Sequence, residues 1–292
     1  MPVGVIVGEE SPLFATLAGL ARAARLVFFA GLPGTGKSLL IHQLAHLAGA
    51  QGRRIHLLQW DLARPVFEAS APGQRYPQEH GVTHGLIRLA VGRWARAALA
   101  DWHMRHPTVE DLLMGETPFV GHRLIELARP GRDPAEPVLA AAWTRFVIPV
   151  PSRELRRHLE AERARRAREP IHPREREDAS PEVLRDLWRQ LVAVARTLGI
   201  AVPAARPGDD VPYDPEIYRR VYEHLLARRH AQALALDTRL ATGDLSAYDF
   251  RVPITDVVPS AGDAARFIHE VEASYPNPDA WDREIEGWYR SR

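Results

Sequence analysis

Short apolar runs alternate with stretches of helical periodicity through the first two-thirds of the chain. Such runs are too short for buried helices and predict buried strands. The predicted strands cover residues 3–7, 26–30, 54–60, 111–115 and 145–150. Strands that alternate with helices form a parallel sheet with helices on both faces. We therefore expect an α/β fold with ligands at the carboxyl edge of its sheet.

The helical patterns divide the chain into three parts. One predicted helix begins after a cap at Thr83, and another runs from a cap at Ser152 to about Arg168. Further helices are predicted over residues 181–198, 215–240, 261–274 and 278–290. Residues 201–215 are rich in Pro, Gly and Asp, which is typical of a linker or long loop. We assign 1–200 to a core that includes the segment 152–178, and 216–292 to a mainly helical region packed on that core.

A glycine-rich segment follows the second predicted strand. Residues 31–38 read GLPGTGKS, which fits the pattern G-x-x-x-x-G-K-[ST] between an apolar run and a helix. Glycines let several backbone N–H groups point at phosphate oxygens, and the helix adds its positive end. A serine hydroxyl at the last position suits Mg²⁺. The pattern predicts a nucleotide site formed by Gly31, Pro33, Gly34, Thr35, Gly36, Lys37, Ser38 and Leu39.

Lysine usage supports this interpretation. The chain has 38 Lys and Arg residues, and Lys37 is the only lysine among them. A compact ammonium can reach over a tight loop to the β- and γ-phosphates, whereas the broad guanidinium fork fits that place poorly. The lysine is therefore expected to serve the phosphates.

This strand, loop and helix resemble the P-loop NTPase superfamily. The next predicted strand ends in QWDLAR, so that Asp61 and Arg64 form D-x-x-R. At that position the pattern resembles P-loop kinases of the polynucleotide kinase, zeta-toxin and chloramphenicol phosphotransferase type. The resemblance implies ATP and Mg²⁺, with Asp61 accepting the proton of an attacking hydroxyl and Arg64 binding substrate or phosphate. The alternatives are a helix N-cap for Asp61 and a surface ion pair for Arg64.

The segment 152–178 is dense in arginine and in acidic residues. It resembles the Arg-rich helical lid of nucleoside and nucleotide kinases, which implies that it closes over the phosphates. Arg156, Arg163 and Arg166 share one helix face and are the candidates. Arg163 and Arg166 are assigned to the transferred phosphoryl group and Arg156 to the nucleotide. The alternative is a solvated surface of salt bridges.

A kinase of this layout also needs an acid near the metal and a pocket for the acceptor. Glu116 can close a short apolar strand and bind Mg²⁺ with Ser38; its alternative is the first turn of a helix that begins near Pro118. Asp111 lies at the wrong end of that run. His84 and Arg88 are candidates to line the acceptor pocket, or else belong to the polar face of a helix whose Trp94 and Trp102 are core residues.

Composition excludes several other classes. The chain has no cysteine, which removes disulfides and thiolate metal sites. Its net charge of +1 gives no hint of a basic nucleic-acid binder, but it leaves a local basic groove possible. Two acids and no base precede Arg22, and no apolar run approaches the length of a membrane span. The histidines show no convincing metal-ligand spacing. We expect a soluble cytoplasmic protein that does not contact membranes.

These observations favour an ATP-dependent phosphotransferase that acts on a hydroxyl of a small molecule, nucleoside or nucleotide. A polynucleotide 5′-hydroxyl kinase is the first alternative, so nucleic acid stays open as a partner. A switch or assembly protein that hydrolyses a nucleoside triphosphate is the alternative from another class. The sequence leaves open the acceptor, the choice between ATP and GTP, and the oligomeric state.

Overall fold

A computed structural model describes residues 4–79, 81–204, 210–275 and 277–290. The strands are β1 (Leu26–Ala30), β2 (Arg54–Leu58), β3 (Asp111–Thr117), β4 (Thr144–Pro151), β5 (Ala231–Leu236) and β6 (Ile254–Asp256). The helices are α1 (Pro12–Ala23), α2 (Lys37–Gly49), α3 (Trp60–Ala69), α4 (Gly85–Arg105), α5 (Glu136–Leu139), α6 (Arg153–Arg168), α7 (Pro181–Thr197), α8 (Pro215–Leu225), α9 (Ala261–Ser274) and α10 (Pro278–Glu286).

The six strands form one sheet in the order β5-β4-β1-β3-β2-β6, and every neighbouring pair is parallel. The predicted α/β class with a parallel sheet is therefore confirmed. Because all strands run the same way, their carboxyl ends meet at one edge. The central strand β1 lies between β3 and β4 at that edge.

Helices cover both faces of the sheet, as the buried strands require. Along β1, Val27 and Phe29 point to a core shared with α1 and α2. Leu26 and Phe28 point to a second core formed with α3, α4, α8 and α9. Trp94 and Trp102 are buried in this second core, as predicted.

Near the amino terminus the pattern predicts a strand that the structure lacks. Residues 4–7 form no strand; residue 3 lies outside the described residues. Val5 and Val7 are nevertheless buried, and the Gln43 side-chain oxygen accepts the backbone N–H of Ile6 at 2.7 Å. The apolar side chains are therefore buried as in a strand, but the backbone hydrogen bonds here go to the Gln43 side chain instead of to a neighbouring strand.

The carboxyl-terminal region is less helical than predicted. The helix that begins at Pro215 ends at Leu225 instead of near residue 240, and Ala231–Leu236 forms β5 beside β4. The sequence of β5, AQALAL, favours a helix by propensity, but all six of its residues pair with Phe146–Pro151 of β4, and this pairing overrides that preference. The short strand β6 was also missed.

Several element ends differ from the prediction. His84 caps α4 instead of Thr83, since its Nδ1 accepts the N–H of Leu86 at 3.2 Å. The predicted last helix stops at Glu286. The predicted loop 201–215 contains no helix or strand at 201–204 and 210–214, and residues 205–209 lie outside the described residues.

None of the helices that the structure describes combines the length and apolarity needed to cross a membrane.

Candidate functional site

A cavity of about 470 Å³ opens at the carboxyl edge of the sheet. Its walls come from the segments that follow the strands: the glycine-rich loop after β1, the start of α3 after β2, the end of β3, helix α6 after β4, and residues 242–248 after β5. The chain leaves β1 towards β2 and leaves the adjacent β4 towards β5, on the opposite side. In open α/β sheets ligands bind at such a reversal of strand order.

The glycine-rich loop (residues 31–38) needs its glycines for geometric reasons. Gly34 and Gly36 have φ angles of +75° and +86°, in the left-handed region that favours glycine. A Cβ atom on Gly31 would lie 2.2 Å from the hydroxyl of Tyr218. Thr35 Oγ1 donates to the carbonyl of Leu32 at 2.8 Å and closes the turn.

This loop leads directly into α2. Its N-cap, Gly36, offers no side-chain acceptor to the first turn. The N–H groups of that turn have no partner within the helix and point outward, where the helix dipole is positive. Ser38 in this turn lines the cavity. The arrangement suits an anion next to a hydroxyl that can bind a cation.

Lys37 and Glu116 meet between the loop and β3. The buried Lys37 Nζ donates to the Leu32 carbonyl at 2.9 Å and lies 3.9 Å from Glu116 Oε2. Burial lowers the pKa of Lys37 to about 8, and Glu116 opposes this change. Burial raises the pKa of Glu116, and Lys37 opposes that change. Each charge therefore depends on the other for stabilisation.

Strand register explains this meeting. Glu116 is paired with Phe29, one residue before the end of β1. Strand β3 continues to Thr117, so the alternative of a helix beginning near Pro118 is wrong. Asp111 begins the strand at the opposite edge, as expected. The prediction of Glu116 as the acid at the strand end is confirmed; its metal role stays a prediction.

Asp61 and Arg64 lie on the first turns of α3 and line the cavity. Gln59 is the N-cap of α3, so Asp61 is not the cap and its exposed side chain is free of that role. After burial and the neighbouring lysine, Asp61 is the charge that most affects the pKa of Glu116, which it raises. Arg64 Nη1 forms the alternative ion pair, with Glu68 at 2.7 Å, while still facing the cavity.

Arg156 joins α6 to the glycine-rich loop. Its nearly buried guanidinium donates to the Pro33 carbonyl at 2.8 Å and to Glu160 at 2.6 Å. The same group lies over the ring of Tyr213, with its central carbon 5.5 Å from the ring centre. The sequence placed Arg156 at the nucleotide, and the structure brings it to the predicted loop.

Arg163 and Arg166 line the cavity about two and three turns beyond Arg156 along α6. Arg163 pairs with Asp178 at 2.7 Å. Arg166 pairs with Glu162 at 2.8 Å and Glu175 at 3.2 Å. The helix therefore shows the ion pairs that the surface alternative predicts, and its arginines also face the cavity, as the lid interpretation predicts.

Sequence reasoning missed Asp178 and Arg174, and it named Tyr248 only as one of several tyrosines that either pack on the core or cover the adenine. The Tyr248 hydroxyl donates to Asp178 Oδ1 at 3.1 Å, and the guanidinium of Arg174 lies 5.0 Å from the centre of the Tyr248 ring. Burial raises the pKa of both Asp178 and Tyr248. Asp178 and Tyr248 lie in loops and Arg174 in a short 3-10 helix (Pro173–Glu177), and only the tertiary fold brings these segments to the cavity.

The two residues predicted for the acceptor pocket lie elsewhere. His84 caps α4, with its ring against Tyr76 and Trp281, and Arg88 donates to the Gly121 carbonyl at 2.6 Å. Neither lines the cavity, so that assignment is wrong for their side chains. Thr83 and Arg123 line the cavity instead. No pattern in the sequence marks Arg123 as a site residue.

A second cluster of metal-ligating types lies at the opposite edge of the sheet. One donor atom each from His56, His106 and Asp111 lies within 4.8 Å of the others. Sequence spacing could not reveal it, because β2 and β3 bring distant residues together. Both carboxylate oxygens of Asp111 already accept bonds from Arg54, at 2.9 and 2.6 Å. This neighbouring positive charge disfavours a cation, and we interpret the cluster as an ion-pair network.

No protein-family model, curated protein or solved structure matches this chain. The function therefore has to be argued from the geometry of the site.

Proposed function

We propose that the protein is an ATP-dependent phosphotransferase of the P-loop kinase group. The observation that carries the proposal is the placement of Lys37: its buried ammonium lies between the glycine-rich loop and Glu116, in a cavity that also contains Asp61. A charged lysine is costly to bury with one carbonyl and one carboxylate. The polyphosphate of a nucleotide would supply the missing negative charge.

The loop supports the same proposal. Backbone N–H groups around Gly34 and Gly36 and the first turn of α2 would bind the β- and γ-phosphates. Mg²⁺ prefers oxygen ligands, and Ser38 and Glu116 offer a hydroxyl and a carboxylate in the lining of the same cavity. These residues fit the metal, which would neutralise charge on the phosphates.

An adjoining apolar cavity suits the base of the nucleotide. It has a volume of about 370 Å³ and shares Gly36 and Leu39 with the loop. Seven leucines contribute to its wall: Leu13, Leu39, Leu40, Leu155, Leu159, Leu236 and Leu240. Burial of a planar base against such a wall is favourable.

Transfer would join the acceptor oxygen to the γ-phosphorus and break the bond from that phosphorus to the β–γ bridging oxygen. Asp61 would take the proton of the acceptor hydroxyl. Arg163 and Arg166 would stabilise the transferred group, after exchanging their present carboxylate partners for phosphate oxygens. Since such a reaction consumes ATP, we place it in the cytoplasm.

A screen with γ-labelled ATP tests the proposal. Wild-type protein, Lys37→Ala and the exposed control Arg105→Gln are incubated with nucleosides, nucleotides, sugars and 5′-hydroxyl oligonucleotides. We expect label to move to one acceptor class with wild type and the control, and not with Lys37→Ala. Label on an oligonucleotide end would identify the polynucleotide alternative. ATP hydrolysis stimulated by a macromolecule without labelled product would replace the kinase proposal with a switch.

A further inference from the structure

Arg123 points to a property of the acceptor, and this inference rests on the proposed function. We propose that the acceptor carries a phosphomonoester and that Arg123 binds it, with Arg88 adding positive charge behind. Arg123 is then a specificity-determining residue. The reacting hydroxyl would lie at Asp61, on the same side of the cavity.

Arg123 faces the cavity without an acidic partner. Its Nη1 donates to the Val120 carbonyl at 2.8 Å, and within residues 4–79, 81–204, 210–275 and 277–290 no carboxylate lies within ion-pair distance of it. Burial lowers the pKa of Arg123, Asp61 opposes this, and Arg64 adds to it. A half-buried guanidinium without a counter-ion is unfavourable in the free protein, and an anionic ligand removes that cost.

The loop that presents Arg123 is strained. Phe119, His122 and Leu124 have φ angles of 60°, 63° and 61°, which residues with a Cβ rarely adopt. Each costs roughly 1 kcal/mol or more. Three such residues within six positions suggest that the position of Arg123 matters more than local stability.

Several contacts hold this loop in one conformation. Phe119 and Arg123 exchange backbone hydrogen bonds at 2.9 and 3.1 Å. The Tyr222 hydroxyl donates to the Pro118 carbonyl at 2.7 Å, and His122 Nε2 lies 2.7 Å from Glu126 Oε1. The guanidinium of Arg123 is therefore preorganised before any ligand arrives.

Charge selects the kind of anion. Arg88 lies behind the loop, and no carboxylate forms an ion pair with it in the described parts of the chain. Burial lowers the pKa of Arg88 to about 10, and Arg123 contributes to that change. Two guanidinium groups without acidic partners match a phosphomonoester, which carries a charge of about −2 near neutral pH, better than a carboxylate.

This anion site is distinct from the glycine-rich loop. The charges that act on Arg123 are those of Asp61 and Arg64, on α3, and of Tyr222, on α8. Those that act on Lys37 are those of Glu116, Arg163, Arg156 and again Asp61, so Asp61 is the acidic group common to both sites. The phosphates of the donor, at the glycine-rich loop, and the phosphate of the acceptor, at Arg123, would thus bind to different elements of one cavity that also contains Asp61, as a two-substrate transfer requires.

The test is binding by titration calorimetry, which needs no turnover. The probes are glucose, gluconate and glucose 6-phosphate, and thymidine with thymidine 5′-monophosphate. The proteins are wild type, Lys37→Ala, Arg123→Gln, Arg123→Lys and the exposed control Arg105→Gln. We expect a phosphomonoester to bind at least about tenfold more tightly than its neutral parent, and gluconate to resemble the parent.

The variants separate this inference from the proposed function. The preference should persist in Lys37→Ala and in the control, fall in Arg123→Lys, and vanish in Arg123→Gln. Loss of the preference in Lys37→Ala, its survival in Arg123→Gln, or equal binding of gluconate and glucose 6-phosphate would overturn the inference. If the preference for phosphomonoesters persists but wild-type protein transfers no label from γ-labelled ATP to any acceptor, only the kinase proposal is contradicted. Arg123→Lys keeps the test decisive if Arg123→Gln fails to fold.

Discussion

The ammonium of Lys37 lies 3.9 Å from the carboxylate of Glu116, across the neighbouring strands β1 and β3. One residue begins the helix after the glycine-rich loop, and the other stands one position before the end of its strand. The contact therefore ties the loop to the sheet. It also places a positive and a negative side chain where, in the proposed function, the phosphates would bind Lys37 and the magnesium ion would bind Glu116.

We expect nucleotide binding to take up protons at alkaline pH. In the free protein the pKa of Lys37 is lowered to about 8 by burial, and a bound polyphosphate raises it again. Between roughly pH 8 and 10 the free lysine is mainly neutral and the bound one charged, so binding takes up at most about one proton. Calorimetry near pH 8.5 in buffers of different ionisation enthalpy measures this. The uptake should disappear near pH 6.5; equal uptake at both pH values would contradict the assignment.

Asp61→Asn should bind ATP normally and transfer slowly. The amide keeps the size of the side chain but cannot accept the hydroxyl proton, so we expect a loss of roughly 10²–10⁴-fold in the transfer rate. The measurement is single-turnover transfer of label under saturating ATP. A variant that keeps the wild-type rate would reduce Asp61 to a first-turn acid of α3.

Glu116→Gln should raise the concentration of Mg²⁺ that the reaction requires. If Glu116 binds a metal-coordinated water, its amide should raise the Mg²⁺ concentration needed for half-maximal transfer by roughly 10–100-fold. A magnesium titration at fixed ATP checks this, with Glu110→Gln as an exposed control on the same strand connection. An unchanged magnesium requirement would mean that the glutamate serves only as the counter-ion of Lys37.

Gly36→Ala should damage both the loop and its stability. A Cβ there would find room, because its nearest neighbours would be Leu159 and Leu236 at 3.9 Å, but the φ angle of +86° would cost roughly 1–2 kcal/mol. Gly19→Ala, in the open middle of α1, is the matched control and should raise stability by up to about 1 kcal/mol. Thermal unfolding and nucleotide binding are the measurements. Normal stability and binding in Gly36→Ala would show that the loop tolerates another conformation.

The features that could be predicted from the sequence are those that neighbouring residues along the chain determine. The loop and α2 follow from glycine geometry and helix periodicity, and Ser152 begins α6 as predicted, with its Oγ accepting the N–H of Leu155 at 3.1 Å. Glu116 was recoverable because a strand end is a local feature. Arg123 was not, since the role that we propose for it depends on a strained turn and on the neighbour Arg88. Strand β5 was missed because pairing with β4 outweighs the helical preference of its residues.

The bond from Arg156 to the Pro33 carbonyl limits how the arginine-rich helix can move. The first turn of α6 is tethered to β5, because the N–H of its cap Ser152 donates to the Leu236 carbonyl at 2.7 Å, and to the glycine-rich loop through Arg156. A hinge that opened the cavity and kept these contacts would therefore lie beyond Arg156. In the proposed transfer, the distal half of α6, with Arg163 and Arg166, would be the part to move for product release while the proximal half stayed bound to the loop, so that the two substrates could be exchanged one at a time.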